Sequence, residues 1–292
     1  MRILVTGASG QLGAYLLDET LTRGRAEVTG WCHRPAAGPR DRPLRAVDLT
    51  DELAVEAALR EAAPEVVIHL AAISAADAVR RDPERGRAVN VRATERLARW
   101  CGDRDRRLIF ASTDMVFDGE RGGYREDDPA CPVLEYGRTK AEAEAAVLAI
   151  PRAVVARISL LFGPSRAGRE SFFDRAISAL RRGEPQAFFE DEYRTPMHYA
   201  TAARALMGLA GEGSSGIIHV GGAERVSRFE LMSRAARALG LDPRLVRRGR
   251  RADVPTPEPR PRDLSLDTAL LAETLPGLER PSIEDSLRDS GE

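Results

Sequence analysis

Lysine and asparagine are almost absent from this chain. Among its 292 residues, Lys140 is the single lysine and Asn90 the single asparagine, although lysine and arginine together number 44. Arginine replaces lysine readily as a surface charge, but it does not supply a compact ammonium group whose pKa responds to its surroundings. A position that keeps lysine or asparagine against this bias is therefore a candidate functional residue.

Cysteine is scarce as well, and its few positions exclude a disulfide framework. Cys32, Cys101 and Cys131 are odd in number and have no metal-ligand spacing. We interpret them as reduced thiols, which fits a cytoplasmic protein. His69 and His198 lie in or beside apolar runs without ligand spacing, as does His219. We therefore expect no metal site.

Long apolar runs and an excess of one charge are also missing. The longest apolar runs, such as Val66–Ala72, are too short to span a bilayer, and the N-terminus shows no basic-then-apolar leader. A net charge of −1 argues against a nucleic-acid partner, and 43% hydrophobic residues argue against disorder. We expect a globular protein that binds a small molecule, with neither a membrane nor a nucleic acid as partner.

Strand-like and helix-like segments alternate through the first half of the chain. This alternation predicts right-handed βαβ crossovers, and hence a parallel sheet with helices on both faces. The predicted strands are Arg2–Thr6, Ala26–Cys32, Val66–Ala72, Arg107–Ser112 and Ala153–Ile158. The predicted helices are Gln11–Arg23, Asp51–Ala63, Pro83–Cys101 and Tyr136–Leu148.

The regular alternation of predicted strands and helices ends after Phe162-Gly163-Pro164, which suggests two domains. Residues 1–162 are expected to form a nucleotide-binding domain with the catalytic residues, and residues 163–292 mainly a substrate-binding domain. A return of segments from the second region to the first sheet stays open. The Arg- and Pro-rich segment Arg244–Pro261 is expected to be irregular. The predicted class is α/β, a Rossmann-type doubly wound parallel sheet with a smaller C-terminal α/β substrate-binding domain.

A glycine motif directly follows the first predicted strand and opens the first helix. It reads Gly7-Ala8-Ser9-Gly10-Gln11-Leu12-Gly13, with G-x-x-G-x-x-G spacing. Glycines here permit a tight turn and a close approach of backbone to pyrophosphate, while the helix N-terminus offers free N–H groups. The expected cofactor-binding residues of the motif are Gly7, Ser9, Gly10, Gln11 and Leu12.

The end of the second predicted strand favours NADP(H) over NAD(H). A carboxylate there would bind the ribose 2′-hydroxyl, but this strand ends Gly30-Trp31-Cys32-His33-Arg34. Arg34, helped by His33 or Arg2, can instead bind a 2′-phosphate, although Arg34 also reads as one of many surface arginines. Asp48 and Leu49 are placed to contact adenine. Ala71 and Ala72 are expected to line the cofactor at the end of the next strand.

A Y-x-x-x-K pair lies on a predicted helix and uses the single lysine. The spacing of Tyr136 and Lys140 puts phenol and ammonium on one helix face. A neighbouring cation is expected to lower the pKa of Tyr136 and make it a proton donor and acceptor. The fourth predicted strand ends at Ser112-Thr113, from which a hydroxyl can hydrogen-bond a substrate carbonyl.

These motifs resemble the extended short-chain dehydrogenases/reductases, and more narrowly the dTDP-4-dehydrorhamnose reductase family. The resemblance rests on the glycine motif, on Ser112 to Gly119, on Tyr136 with Lys140, and on the tail Arg260-Pro261-Arg262-Asp263. It implies an NADPH-dependent reduction of a nucleotide-linked 4-keto-6-deoxysugar and a homodimer.

The resemblance also implies roles for individual residues. Thr113 would orient the carbonyl, Tyr136 would protonate the developing alkoxide, and Lys140 would hold the nicotinamide ribose. Asn90 would lie on the helix behind the active site, in a supporting or packing role. The residues expected to contact substrate are Asp114, Met115, Arg194, Arg260 and Arg262, the arginines because guanidinium groups bind phosphate oxygens bidentately.

Two departures keep alternatives open. The family usually has a tyrosine at the position of Met115, so the same chemistry on a carbonyl that is not a sugar is an alternative. Arg194-Thr195-Pro196 and the Arg-rich tail resemble the regulatory β subunit of methionine adenosyltransferase equally well. An NADP-binding regulatory subunit with little turnover is therefore a second alternative.

Overall fold

The chain folds around one large parallel sheet, with a second apolar core in the C-terminal part. The computed structural model describes residues 1–24, 26–39, 42–211 and 213–288. Of the predicted second domain, residues 212 and 289–292 lie outside the described residues.

Thirteen strands lie in the described part of the chain. They are β1 Arg2–Thr6, β2 Glu27–Cys32, β3 Arg45–Ala46, β4 Val66–His69, β5 Arg107–Thr113, β6 Ala153–Ile158, β7 Leu161–Phe162, β8 Gln186–Phe189, β9 Tyr193–Arg194, β10 Met197–His198, β11 Gly216–Val220, β12 Val226–Ser227 and β13 Val246–Gly249.

Eleven α-helices accompany them in the same residues. They are α1 Gln11–Arg23, α2 Glu52–Ala62, α3 Ala76–Arg81, α4 Pro83–Arg87, α5 Ala93–Asp103, α6 Glu135–Leu148, α7 Phe172–Arg181, α8 Tyr199–Gly211, α9 Arg228–Ala238, α10 Ala269–Thr274 and α11 Ile283–Arg288. A π-helical turn, Ala88–Arg92, joins α4 to α5. None of these helices is long and apolar enough to cross a membrane.

The central sheet has seven parallel strands in the order β11-β6-β5-β4-β1-β2-β3. Helices α1 and α8 cover one face, and α2, α5 and α6 cover the other, so apolar side chains of the strands are buried on both sides. The predicted fold class, a Rossmann-type doubly wound sheet, is confirmed. Because all strands run the same way, their carboxyl ends meet at one edge.

The C-terminal half contributes to both cores. Strand β11 pairs with β6 at the edge of the central sheet, and α8 packs on its face. A separate cluster of apolar residues from α7, α9 and α11 forms the second core. The division at residues 162 and 163 stays a prediction, with part of the later region built into the first sheet.

Three sequence predictions differ from the observed elements. The third strand ends at His69 rather than Ala72, because the Ala71 amide donates to the Thr6 hydroxyl instead of a neighbouring strand. The predicted helix Pro83–Cys101 is interrupted by the π-helical turn. The segment Arg244–Pro261, predicted to be irregular, contains the short strand β13. This strand forms because its backbone pairs with β8, which is distant in the chain.

A buried arginine joins the start of β5 to the end of α8. The Arg107 guanidinium donates to Leu209 O at 2.9 and 2.6 Å and to Ser214 O at 2.8 Å. Only 4% of Arg107 is exposed. Leu209 O lies in the last turn of α8, where the helix itself supplies no donors, and Ser214 follows the helix in the chain.

We expect Arg107→Met to lower the free energy of unfolding by about 2–3 kcal/mol, because buried carbonyls lose charged donors. Arg152→Met is the matched control, since Arg152 is half exposed and pairs with the exposed Asp105. That change is expected to cost less than about 0.5 kcal/mol. Denaturant unfolding measures both, and equal losses would contradict this role for Arg107.

Candidate active site

A cavity of about 780 Å³ opens at the carboxyl edge of the central sheet. Its wall includes most of the predicted cofactor and catalytic residues. Those on the wall are Gly7, Ser9, Gly10, Gln11, Leu12, His33, Asp48, Leu49, Ala71, Ala72, Thr113 and Tyr136. The predicted residues that lie off the wall are Arg34, Asn90, Lys140, Asp114, Met115, Arg194, Arg260 and Arg262.

The glycine turn is packed so closely that side chains are excluded. Gly7 has φ +68°, and a Cβ atom there would lie 2.7 Å from the Ala71 nitrogen. A Cβ atom on Gly13 would lie 2.5 Å from Gly7 O. Gly10 precedes α1 and offers no side chain to cap it. The first turn of α1 therefore presents backbone N–H groups to the cavity, a cradle that fits the phosphates of a dinucleotide.

Gln11 ties a loop of the C-terminal half to this turn. Its amide nitrogen donates to Ser165 Oγ at 2.5 Å and to Arg169 O at 2.6 Å, and its oxygen accepts from the Arg166 amide at 3.1 Å. The same loop brings Arg169 onto the cavity wall. No sequence pattern points to Arg169, because hydrogen bonds between residues distant in the chain place it there.

The opposite end of the cavity is lined by His33, Asp48 and Leu49. Hydrogen bonds from the Thr50 hydroxyl and amide hold the pKa of Asp48 below its usual range. Arg34 is exposed beside His33, at the rim rather than on the wall. Arg85, which sequence reasoning missed, also lines this end.

Thr113 and Tyr136 face each other where β5 ends and α6 begins. Burial raises the pKa of Tyr136 above its ordinary value, the charge of Asp114 adds to the rise, and a hydrogen bond with Thr113 opposes it. The expectation that Lys140 lowers the pKa of Tyr136 was therefore wrong for this structure. Lys140 is itself buried, and desolvation lowers its own pKa to about 7, against the opposing charge of Glu144.

Lys140 lies behind the cavity wall, with 2% of its surface exposed. Its Nζ is 3.9 Å from the centre of the Phe110 ring. Asn90, on the π-helical turn, donates to Ile73 O and to Thr139 Oγ1, both at 3.1 Å, and accepts from the Ile73 amide at 2.8 Å. Asn90 thus holds the segment after β4 against the helix that carries Lys140.

Three of the predicted substrate residues, Asp114, Arg194 and Arg260, take part in ion pairs. Asp114 accepts from Ser159 Oγ at 3.2 Å and lies 3.3 Å from Arg194 Nε. Burial raises the pKa of Asp114, and Arg194 opposes that rise. Arg194 lies 3.5 Å from Glu192, an acid that also pairs with Arg260 at 3.2 Å.

Other residues of this region were either missed or lie elsewhere. Arg228, missed by sequence reasoning, lies 3.8 Å from Glu192. Arg262 is exposed and donates to Glu120 O at 2.6 Å. The Met115 carbonyl lies so near α6 that a Cβ atom on Gly137 would come within 2.1 Å of it.

Three histidines, His69, His198 and His219, are buried and pack against aromatic rings. His69 is buried and hydrogen-bonded to Thr6 at 2.6 Å and Thr94 at 3.0 Å, and burial lowers its pKa to about 3. Within the described residues, no group of three or more His, Cys, Asp or Glu side chains is arranged to hold a metal ion.

A family model described as RmlD substrate binding domain matches residues 1–290. A probable low-salt glycan biosynthesis reductase of Haloferax volcanii is 34% identical over 98% of this chain and 96% of its own. A dTDP-4-dehydrorhamnose reductase of Mycobacterium tuberculosis is 32% identical over 89% of this chain and 82% of its own. The methionine adenosyltransferase 2 subunit beta of Xenopus laevis is 32% identical over 82% and 72%.

Solved structures share the whole architecture. A dTDP-4-dehydrorhamnose reductase of Clostridium acetobutylicum superposes with a TM-score of 0.85 at 26% identity, over 99% of this chain and 98% of its own. MoeE5 in complex with UDP-glucose and NAD superposes with a TM-score of 0.80 at 29% identity, over 99% and 96%.

We expect Gly13→Ala to destabilise the protein by about 1–3 kcal/mol, because its methyl group would meet rigid backbone atoms of Gly7 and Ala8. Gly102→Ala on α5 is the control, since its methyl group would first meet an Ile150 side chain at 3.7 Å. That change is expected to stabilise by up to about 1 kcal/mol. Thermal unfolding distinguishes them, and a neutral Gly13→Ala would refute the close packing.

Proposed function

The chain belongs to the RmlD substrate binding domain family, as its motifs predicted, and from this premise we propose that it is an NADPH-dependent ketoreductase of a nucleotide-linked 4-keto-6-deoxysugar. One observation carries the proposal. A single cavity reaches from the glycine turn to Thr113 and Tyr136, so a dinucleotide in the cradle would end beside a proton donor.

NADPH, when bound, supplies the hydride that goes to the carbonyl carbon. The protein supplies orientation and the proton. Thr113 donates a hydrogen bond to the carbonyl oxygen, and Tyr136 transfers its phenolic proton to that oxygen as negative charge develops there. The raised pKa of Tyr136 keeps the phenol protonated at neutral pH, which suits an acid working in the direction of reduction.

Lys140 has two tasks in this proposal. Its ammonium group would hold the hydroxyls of the nicotinamide ribose and stabilise the phenolate that remains after proton transfer. Burial lowers the pKa of Lys140 to about 7, so the ammonium form is less favoured before a cofactor binds than for an exposed lysine. Binding of the ribose would then favour the charged form.

The cluster around Glu192 supports a substrate with a diphosphate. Arg194 and Arg260 pair with this acid, Arg228 lies beside it, and Asp114 is the other acid in contact with Arg194. Three guanidinium groups thus face two carboxylates, and the remaining positive charge favours a phosphate group. Arg262 lies apart from this cluster and would have to bind substrate from the exposed side.

We expect Tyr136→Phe to lower kcat by about 10²–10⁴-fold, because the phenyl ring has no proton to give. NADPH oxidation is measured with a panel of dTDP- and UDP-4-keto-6-deoxysugars. The control is the NADPH dissociation constant of the same variant, expected within about threefold of wild type, since the cradle is unchanged. Wild-type turnover by the variant would remove Tyr136 from the mechanism.

The same assay separates two other functions. Turnover restricted to ketones that are not sugars would favour the alternative that follows from Met115. Tight NADPH binding without turnover, together with a stable complex with a partner enzyme, would favour a regulatory subunit. That alternative is supported by the 32% identity to the Xenopus laevis subunit.

We expect the wild type to prefer NADPH to NADH, and Arg34→Met to reduce that preference by about tenfold, because the 2′-phosphate loses a charged partner. Arg85→Met is the matched variant. Arg85 lies at the Asp48 end of the cavity, so its loss is expected to weaken both cofactors alike. The ratio of kcat/KM for the two cofactors measures this, and an NADH preference in the wild type would contradict the proposed cofactor.

A further inference from the structure

A buried cluster of Ser112, Glu144 and Arg157 joins three elements of the site. Ser112 lies on β5 directly before Thr113, Glu144 lies on α6, and Arg157 lies on β6. Arg157 Nη2 donates to Glu144 Oε2 at 2.8 Å and Arg157 Nε to Oε1 at 3.2 Å. The Ser112 hydroxyl donates to the same carboxylate. Both charged side chains are only 4% exposed.

Glu144 lies one helical turn beyond Lys140 on α6, and both side chains are buried. Residues four apart on a helix are neighbours on one face, so the Glu144 carboxylate shares a buried face with the ammonium group, and its charge acts on Lys140. Phe110 and Ser112 alternate on β5, and they receive Lys140 and Glu144 respectively. The strand that carries Thr113 is thus attached to the helix that carries Tyr136 and Lys140.

The other groups around Lys140 supply no compensating negative charge. His69 on β4 is neutral near pH 7, because burial keeps its pKa near 3. Tyr136 is protonated, and Asn90 from the π-helical turn is neutral. From β6, Arg157 adds a positive charge beyond Glu144.

The wider surroundings of the cluster add two further groups. His219 on β11 faces Arg157 and is neutral near pH 7, since burial lowers its pKa to about 4. Asp114 is paired with Arg194 at the Tyr136 end of the site.

We propose that Glu144 is a positioning residue that fixes α6 against β5 and supplies the negative charge that favours the ammonium form of Lys140 against the effect of burial. Arg157 holds the carboxylate in place and weakens its effect on the lysine. The role of Lys140 in cofactor binding rests on the proposed function, but its protonation state does not.

The single lysine makes this state directly observable. The full chain, prepared without lysine in any added tag and with ¹³C at lysine Cε, gives one lysine signal whose shift follows the titration of Lys140. We expect Glu144→Gln to lower the titration midpoint by about one pH unit, because a facing negative charge favours the ammonium form. The change keeps an oxygen that can accept from Ser112.

Arg157→Met is expected to raise the titration midpoint of Lys140. The positive charge of Arg157 disappears in this variant, whereas the Glu144 carboxyl group remains. Glu142→Gln is the matched control. Glu142 is on the same helix and pairs with Arg87 at the surface, where its side chain is 39% exposed. That change is expected to leave the midpoint where it is, because solvent screens the charge.

Glu144→Gln leaves a buried arginine without its acid and loses stability. If it does not fold, Glu144→Gln/Arg157→Met is compared with Arg157→Met alone, and a lower midpoint in the double variant supports the proposal. An unchanged midpoint in a folded Glu144→Gln, or equal shifts in Glu144→Gln and Glu142→Gln, overturns it.

A second readout separates this proposal from the proposed function. NADPH affinity is titrated against pH by cofactor fluorescence, and the alkaline loss of binding is expected to follow the Lys140 midpoint of each variant. A shifted lysine midpoint without NADPH binding would sustain the role of Glu144 and contradict the proposed cofactor. Normal NADPH binding with an unshifted lysine midpoint would support the proposed cofactor and contradict the role of Glu144.

Discussion

Burying an ammonium group costs free energy, and much of the site offsets that cost around Lys140. The group lies over the face of Phe110, whose ring attracts a cation. Glu144 follows one turn later and is itself held by Arg157 and Ser112. Burial still dominates, since the pKa of Lys140 falls to about 7. The charge of Lys140 near neutral pH is therefore sensitive to any group placed beside it.

The parallel sheet explains why these groups meet at all. Strands β5 and β6 run side by side, and α6 packs across both of them, so Ser112, Arg157 and Glu144 share one interior layer. At the edge just above, the same strands deliver Thr113 and Ser159 to the cavity. Asn90 completes the frame from the π-helical turn. The same strand register thus positions both the residues that line the cavity and the buried groups behind them.

The sequence predicted the elements whose causes are local. Alternating apolar segments predicted to within a residue four strands and three helices, namely β1, β2, β5, β6, α1, α2 and α6, and the glycine spacing predicted the turn at Gly7. The scarcity of lysine and asparagine directed attention to Lys140 and Asn90, both of which are buried beside the site. What failed depends on groups distant in the chain. The direction in which the pKa of Tyr136 is shifted follows from burial and from the charge of Asp114. The position of Arg169 on the cavity wall follows from a hydrogen bond with Gln11.

Because the single lysine is buried, its chemical reactivity can report on internal motion of the protein. Reagents that acylate amines find the N-terminal amine and one side chain, and that side chain is 2% exposed. Acylation of Lys140 requires α6 to separate from β5 at least briefly. Its rate, relative to that of an unprotected amine, therefore measures the free energy of that local opening. A bound dinucleotide that closes the cavity would slow this reaction, and the degree of protection would report how firmly α6 is held against β5.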